Sequence, residues 1–132
     1  MQKIINISEA TSIAIHSMVA IAGKERINAF DIAKQTHFSK NHIAKVLQQV
    51  GKSGLIKSER GPSGGFSLAK SANEITLLDI YQVMEGNSNE EMCCNEKDKS
   101  CPFKECIFGG LTNRFAKEFI EYLRSKKLSD LI

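Results

Sequence analysis

The 132-residue sequence contains no apolar run near the length of about 20 residues that a membrane-spanning helix needs. Its N-terminus, MQKIINISEA, lacks the pattern of a secretory leader. The expectation is a soluble cytoplasmic protein without membrane contact. The chain also has no Cys-x-x-Cys pair, no glycine fingerprint for a nucleotide and no evident general base beside a thiol. These gaps argue against a thiol enzyme or an electron carrier, and the chain is read as a non-enzyme. A chain of this length builds one core and hardly two.

The net charge of +3 conceals an asymmetry. Residues 1–70 carry ten Lys/Arg against four Asp/Glu, whereas residues 71–132 carry eight against eleven. A basic half draws a polyanion by long-range attraction. Charge alone does not separate that role from simple solubility.

Residues 29–68, AFDIAKQTHFSKNHIAKVLQQVGKSGLIKSERGPSGGFSL, supply the separation. They read as helix, turn, helix, strand, glycine-rich hairpin and strand. Asn28 is placed to cap a helix over 29–35, residues 36–38 form the turn, and Ser39 stands where a second helix needs its cap. In that second helix Ile43, Val46, Leu47 and Val50 recur at i, i+3, i+4 and i+7, so one face is buried. The other face holds Lys40, Asn41, His42, Lys45, Gln48, Gln49 and Lys52, with no carboxylate among them. Cations and amides are the groups that bind phosphate and read base edges. Strands at 55–59 and 66–69 flank RGPSGG, whose glycines and proline suit a tight hairpin. The pattern is a winged helix-turn-helix whose exposed face suits DNA.

Around it, Ser8 is placed to cap a mostly apolar helix over 9–22 that ends at Gly23, after an extended lead-in at 1–7. Glu9 and His16, its notable polar members, lie about two turns apart on one face. Each singly has an ordinary role, the acid at the positive helix end and the histidine in packing. Residues 26–28 form a short third strand. Thr76 and Asp79 make a capping box for a helix that ends by Glu85, with Ile75 and Ile80 as its staple and Gly86 as its stop. Residues 87–106, NSNEEMCCNEKDKSCPFKEC, lose all periodicity and hold all four cysteines within 14 positions. Such a cluster in a cytosolic chain points to metal binding or redox sensing before a structural disulfide. A long helix over 107–126 carries an apolar stripe of Phe108, Leu111, Phe115, Phe119, Ile120, Tyr122 and Leu123. A partner subunit is the preferred cover for that stripe, and packing on its own domain is the alternative.

The segments RGPSGGFSLA and ITLLDIYQVMEG make the chain resemble, over nearly its full length, the bacterial winged-helix regulators typified by IscR, NsrR and CymR. The segment SKNHIAKVL is most similar to the NsrR branch. The resemblance implies a homodimer on palindromic, double-stranded promoter DNA. In the cluster-bearing relatives three cysteines lie between the helix after the wing and the dimerisation helix, a place occupied here by Cys94, Cys101 and Cys106. The family also contains members without a cluster. Spacings of x6 and x4 are wider than those of common zinc knuckles and suit an iron–sulfur cluster better, 2Fe–2S or 4Fe–4S. Cys93 adjoins Cys94, so one of the pair points inward, and Cys94 divides the span more evenly about Cys101. Relatives complete the ligand set with a histidine just after the last cysteine, or with a carboxylate or histidine from the first helix, sometimes of the other subunit. Here those positions hold Gly109 and Ser12. His16 is then the preferred fourth ligand, with Glu9 or Cys93 as substitutes.

The resulting expectation is a mainly α fold with a small β-hairpin wing and a long C-terminal dimerisation helix. Residues 1–86 form the DNA-binding domain, 87–106 a cysteine-containing sensor loop, and 107–132 the dimerisation helix and tail. Ser39, Lys40, Asn41, His42, Lys45 and Gln49 contact the major groove, while Arg60, Ser63, Gly64 and Gly65 reach the minor groove or backbone. The function expected is that of a repressor gated by an iron–sulfur cluster that senses nitric oxide, redox or cluster status. A zinc or thiol switch is the alternative to the cluster, and a zinc-bearing protein-interaction module is the rival to DNA binding.

Overall fold

Ser8 opens the first helix, α1 (Glu9–Ala22), by accepting a hydrogen bond from the Thr11 amide. The computed structural model describes residues 7–86 and 102–132. Cys93, Cys94 and Cys101 therefore lie outside the described residues, as does most of the lead-in at 1–7. Ile13, Ala14, Met18, Ala20 and Ile21 bury α1 as the central element of the core.

Asn28 caps α2 (Ala29–Thr36) through a 2.8 Å bond from the Asp31 amide. The helix closes at His37, which adopts a left-handed φ of 66° and donates its N–H to the Ala33 carbonyl. A side chain other than glycine in that region is uncommon and marks a sharp reversal. Phe38 and Ser39 complete the turn into α3 (Lys40–Lys52), whose Ile43, Val46, Leu47 and Val50 are buried as the apolar spacing predicts. Four such side chains at about 1.5–3 kcal/mol each seat α3 against the core. Ser39 occupies the cap position, but its side chain makes no capping bond.

The wing is a two-stranded antiparallel hairpin, β1 (Ile56–Glu59) with β2 (Gly65–Leu68), in the register Ile56 to Leu68 and Glu59 to Gly65. The third strand anticipated at 26–28 is a single bridge, Ile27 to Phe66. Helix α4 (Leu77–Glu85) starts in the anticipated capping box, with the Thr76 and Asp79 side chains each taking the other's backbone amide. Gly86 ends it at a φ of 81°.

The last helix differs from expectation. Helix α5 runs over Leu111–Ser125, not from residue 107, because Gly109 and Gly110 take φ values of 64° and 73° that a right-handed helix cannot contain. One face, comprising Thr112, Ala116, Ile120 and Leu123, packs back onto its own domain. A second face leaves Leu111, Phe115 and Tyr122 exposed. The residues after α5 return to the start of α4. Leu77 N–H donates to the Lys126 carbonyl, Leu128 N–H donates to the Ile75 carbonyl, and the Leu128 side chain is fully buried.

Candidate nucleic-acid interface and cysteine segment

The exposed side of α3 follows from its buried one. At about 100° per residue, Asn41, Lys45, Gln48 and Lys52 lie opposite the stripe of Ile43, Val46, Leu47 and Val50. Lys40, Asn41, His42, Lys45, Gln48, Gln49 and Lys52 are all exposed. No acidic residue occupies the first turn, and the amides there have no side-chain cap. Free amides and positive dipole at a helix start favour a phosphate oxygen.

The two flanks of this face are different. His42, Lys45 and Gln49 border a cleft of about 300 Å³ whose opposite wall is Glu9, Ala10 and Ile13 of α1. Glu9 thus lies among the side chains of α3. On the other flank, Ala44, Gln48 and Lys52 border a groove of about 490 Å³ closed by Ser58 and Phe66 of the wing. The site expected from sequence gave weight to His42 and Gln49. The geometry gives at least as central a place to Gln48, and it brings Ala44 to the surface between helix and wing. Gln48 stands in the exposed pattern of the sequence, whereas Ala44 carries no chemical signal there.

The wing is held in place by a residue that the sequence pattern did not single out. Arg26 bonds Glu59 at 2.8 Å and donates to the Ser63 carbonyl at 3.2 Å. Together with the Ile27 to Phe66 bridge, it fixes the hairpin on the domain. Arg60 and Ser63 are exposed at its tip. Gly64 and Gly65 answer to the fold itself. A Cβ at Gly64 would strike the Glu59 carbonyl, and one at Gly65 would lie 2.7 Å from the Ile27 oxygen.

His16 is exposed on α1 with its ring edge-on to Phe38 of the helix-turn-helix turn, the centroids 5.6 Å apart. Its Nδ1 lies 2.6 Å from the Ser12 carbonyl oxygen. A carbonyl can only accept, so Nδ1 carries a proton and, in the neutral ring, Nε2 keeps a lone pair. Cys106 is half-buried, and its carbonyl accepts from Gly109 N–H at 2.9 Å in the turn that leads into α5. Among the described residues no three His, Cys, Asp or Glu side chains converge as a metal site.

Glu85 forms a second junction, also silent in the sequence. It accepts from the Ser8 amide at 3.1 Å, from the Ser8 hydroxyl at 2.9 Å and from the Thr11 hydroxyl. The last residue of α4 therefore neutralises the positive end of α1.

Comparison with known proteins agrees with this architecture. Residues 7–132 match the Rrf2 family, described as an iron-dependent transcriptional regulator. The regulator NsrR of Bacillus licheniformis is 28% identical over 126 residues, spanning 92% of this chain and 88% of that protein. A putative helix-turn-helix regulator of Aquifex aeolicus is 31% identical over 104 residues, spanning 77% and 72%. Among solved structures, T. potens IscR superposes with a TM-score of 0.73 at 25% identity, over 96% of this chain and 85% of that one. CymR, the global cysteine regulator of B. subtilis, gives the same TM-score at 24% identity over 96% and 95%, a likeness of fold. Among the described residues no helix is long and apolar enough to cross a membrane. With its helix-turn-helix, its wing and a family match that spans nearly the whole chain, the protein belongs to the Rrf2 family of DNA-binding transcriptional regulators and is not an enzyme.

Proposed function

We propose that this regulator is a homodimeric repressor whose grip on palindromic promoter DNA is controlled by an iron–sulfur cluster. The observation that carries the coupling is the bond between the Cys106 carbonyl and Gly109 N–H, which ties the last cysteine to the start of α5. That helix bears the exposed Leu111, Phe115 and Tyr122, apolar surface of the kind a second subunit covers. A change at the cysteines is thereby passed to the face that sets the spacing of two recognition helices. DNA affinity changes only if the two states of the protein differ in that spacing.

Cys94, Cys101 and Cys106 would hold the cluster as thiolates, a donor set suited to iron and sulfide. His16 supports the reading as fourth ligand, because its Nδ1–H is fixed by the Ser12 carbonyl and its Nε2 lone pair is left to a metal. Glu9 and Cys93 are the substitutes. An iron with one exchangeable ligand supplies a site for nitric oxide or oxygen. Ser39, Lys40, Asn41, His42, Lys45 and Gln49 engage the major groove, and Arg60 and Ser63 the neighbouring backbone. The family description as iron-dependent favours this reading over a zinc or thiol switch.

The test is an absorption spectrum with iron, sulfide and zinc analysis of protein purified without oxygen. Visible absorbance with matched iron and sulfide is the expected result, and Cys106→Ser removes it. A colourless protein that cannot be reconstituted ends the cluster reading, and zinc content then decides between a zinc site and a thiol switch.

A further inference from the structure

We infer that α3 reads two A·T pairs about three steps apart in each half-site, through Asn41 and Gln48, with Ala44 against a thymine methyl group on the wing side. The inference rests on the DNA-binding reading above and adds the class of base that is recognised.

Three observations converge on it. Asn41 and Gln48 stand at the middle of the exposed face, opposite the buried stripe, and both side chains are exposed. Neither makes a side-chain hydrogen bond with other described residues, so both amides are uncommitted. A carboxamide offers one acceptor and one donor side by side, the complement of adenine N6 and N7 in the major groove. Helix α3 has no arginine and no carboxylate of its own, so lysine is its one charged partner for guanine, and Glu9 of α1 borders the cleft of His42, Lys45 and Gln49, which Asn41 and Gln48 do not line. Seven residues of helix advance about 10.5 Å, close to three base-pair steps of about 3.4 Å. Ala44 is exposed beside Gln48 in the groove toward Phe66, where a methyl side chain meets another methyl group and makes no polar demand. Lys45 and Lys52, on the same face, serve the phosphates without base preference.

The experiment is selection of duplexes from a random pool by the full-length protein. It is run both on protein purified without oxygen and after metal removal, and followed by binding of single-base variants to Asn41→Ala and Gln48→Ala. Two A·T positions about three steps apart are expected in each half-site. Each variant lowers discrimination at one of them by about 5- to 150-fold and leaves the other intact. Replacing thymines one at a time by uracil weakens binding about three- to fivefold at one position between or beside the pair, the effect of one buried methyl group. G·C pairs at both positions, or unchanged discrimination in both variants, overturns the inference while leaving DNA binding in place. Insensitivity to every uracil removes Ala44 from it. Failure of both protein forms to select any duplex overturns the DNA-binding reading and the inference together.

Discussion

Glu85, the last residue of α4, holds Ser8, the cap of α1, through both the amide and the hydroxyl of that serine, although 77 positions separate them. The Thr11 hydroxyl joins the same carboxylate, so the start of α1 is closed from outside as well as from within. Thr11 is fully buried, and loss of the acceptor leaves its hydroxyl without that partner. Glu85→Ala is therefore expected to lower stability by about 1.5–3 kcal/mol, in line with other hydrogen bonds to charged groups. Urea unfolding at neutral pH measures it, and a midpoint equal to that of the parent protein would remove Glu85 from the anchor.

Lys45 lies on the exposed face of α3 and in the cleft beside Glu9. Its replacement by alanine is expected to weaken binding on all duplex sequences alike and to reduce the salt slope by about one. Affinity measured at several salt concentrations gives the slope directly. A slope that does not move takes this lysine off the phosphates.

Arg26 is the test of whether a held wing matters. Its bridge to Glu59 is largely exposed, so Arg26→Ala should cost under about 1 kcal/mol of stability. The loss of its bond to the Ser63 carbonyl frees the wing tip, and DNA affinity is expected to fall several-fold with helix content unchanged. Parallel circular dichroism and binding isotherms separate the two effects. An affinity equal to the parent's would show that the wing needs no such brace.

Phe115 and Tyr122 mark the exposed face of α5. A charge placed at the centre of an apolar interface disfavours association, because it must be desolvated without a partner. Phe115→Glu is expected to halve the mass seen by light scattering, while buried Ala116 and Ile120 keep α5 on its own domain. A mass that is the same in variant and parent would place the subunit interface elsewhere.

Much of this architecture is local and was legible. The Thr76–Asp79 capping box, the Asn28 cap and the apolar spacing of α3 each depend on residues within two turns of one another, and each forms as the spacing predicts. What depends on distant partners was not legible. Neither Glu85 nor Arg26 differs in sequence from any surface charge, and each acquires a role only when the chain brings α1 or the wing beside it. The apolar stripe of the sequence is continuous, whereas the helix divides it between its own domain and an exposed face. The apolar pattern runs on before the helix start, because Gly109 and Gly110 lie inside it and it conceals their positive φ values. Gly64 and Gly65 were expected to let DNA approach, and the hairpin itself already requires them. For the cysteine segment the sequence supplies the donors, while Cys106 alone falls within the described residues.

The return of the tail to the start of α4 gives α5 the mechanics of a beam clamped at its C-terminal end and resting on its own domain along Thr112, Ala116, Ile120 and Leu123. The bonds from Leu77 to Lys126 and from Leu128 to Ile75 form the clamp, and the opposite end begins at Gly110, where added side-chain bulk would meet nothing. Fifteen residues make a beam of about 22 Å. A tilt of about 5° at the clamp would carry the Gly110 end through about 2 Å, so it cannot occur without shifting the surface on which buried Thr112 and Ala116 rest.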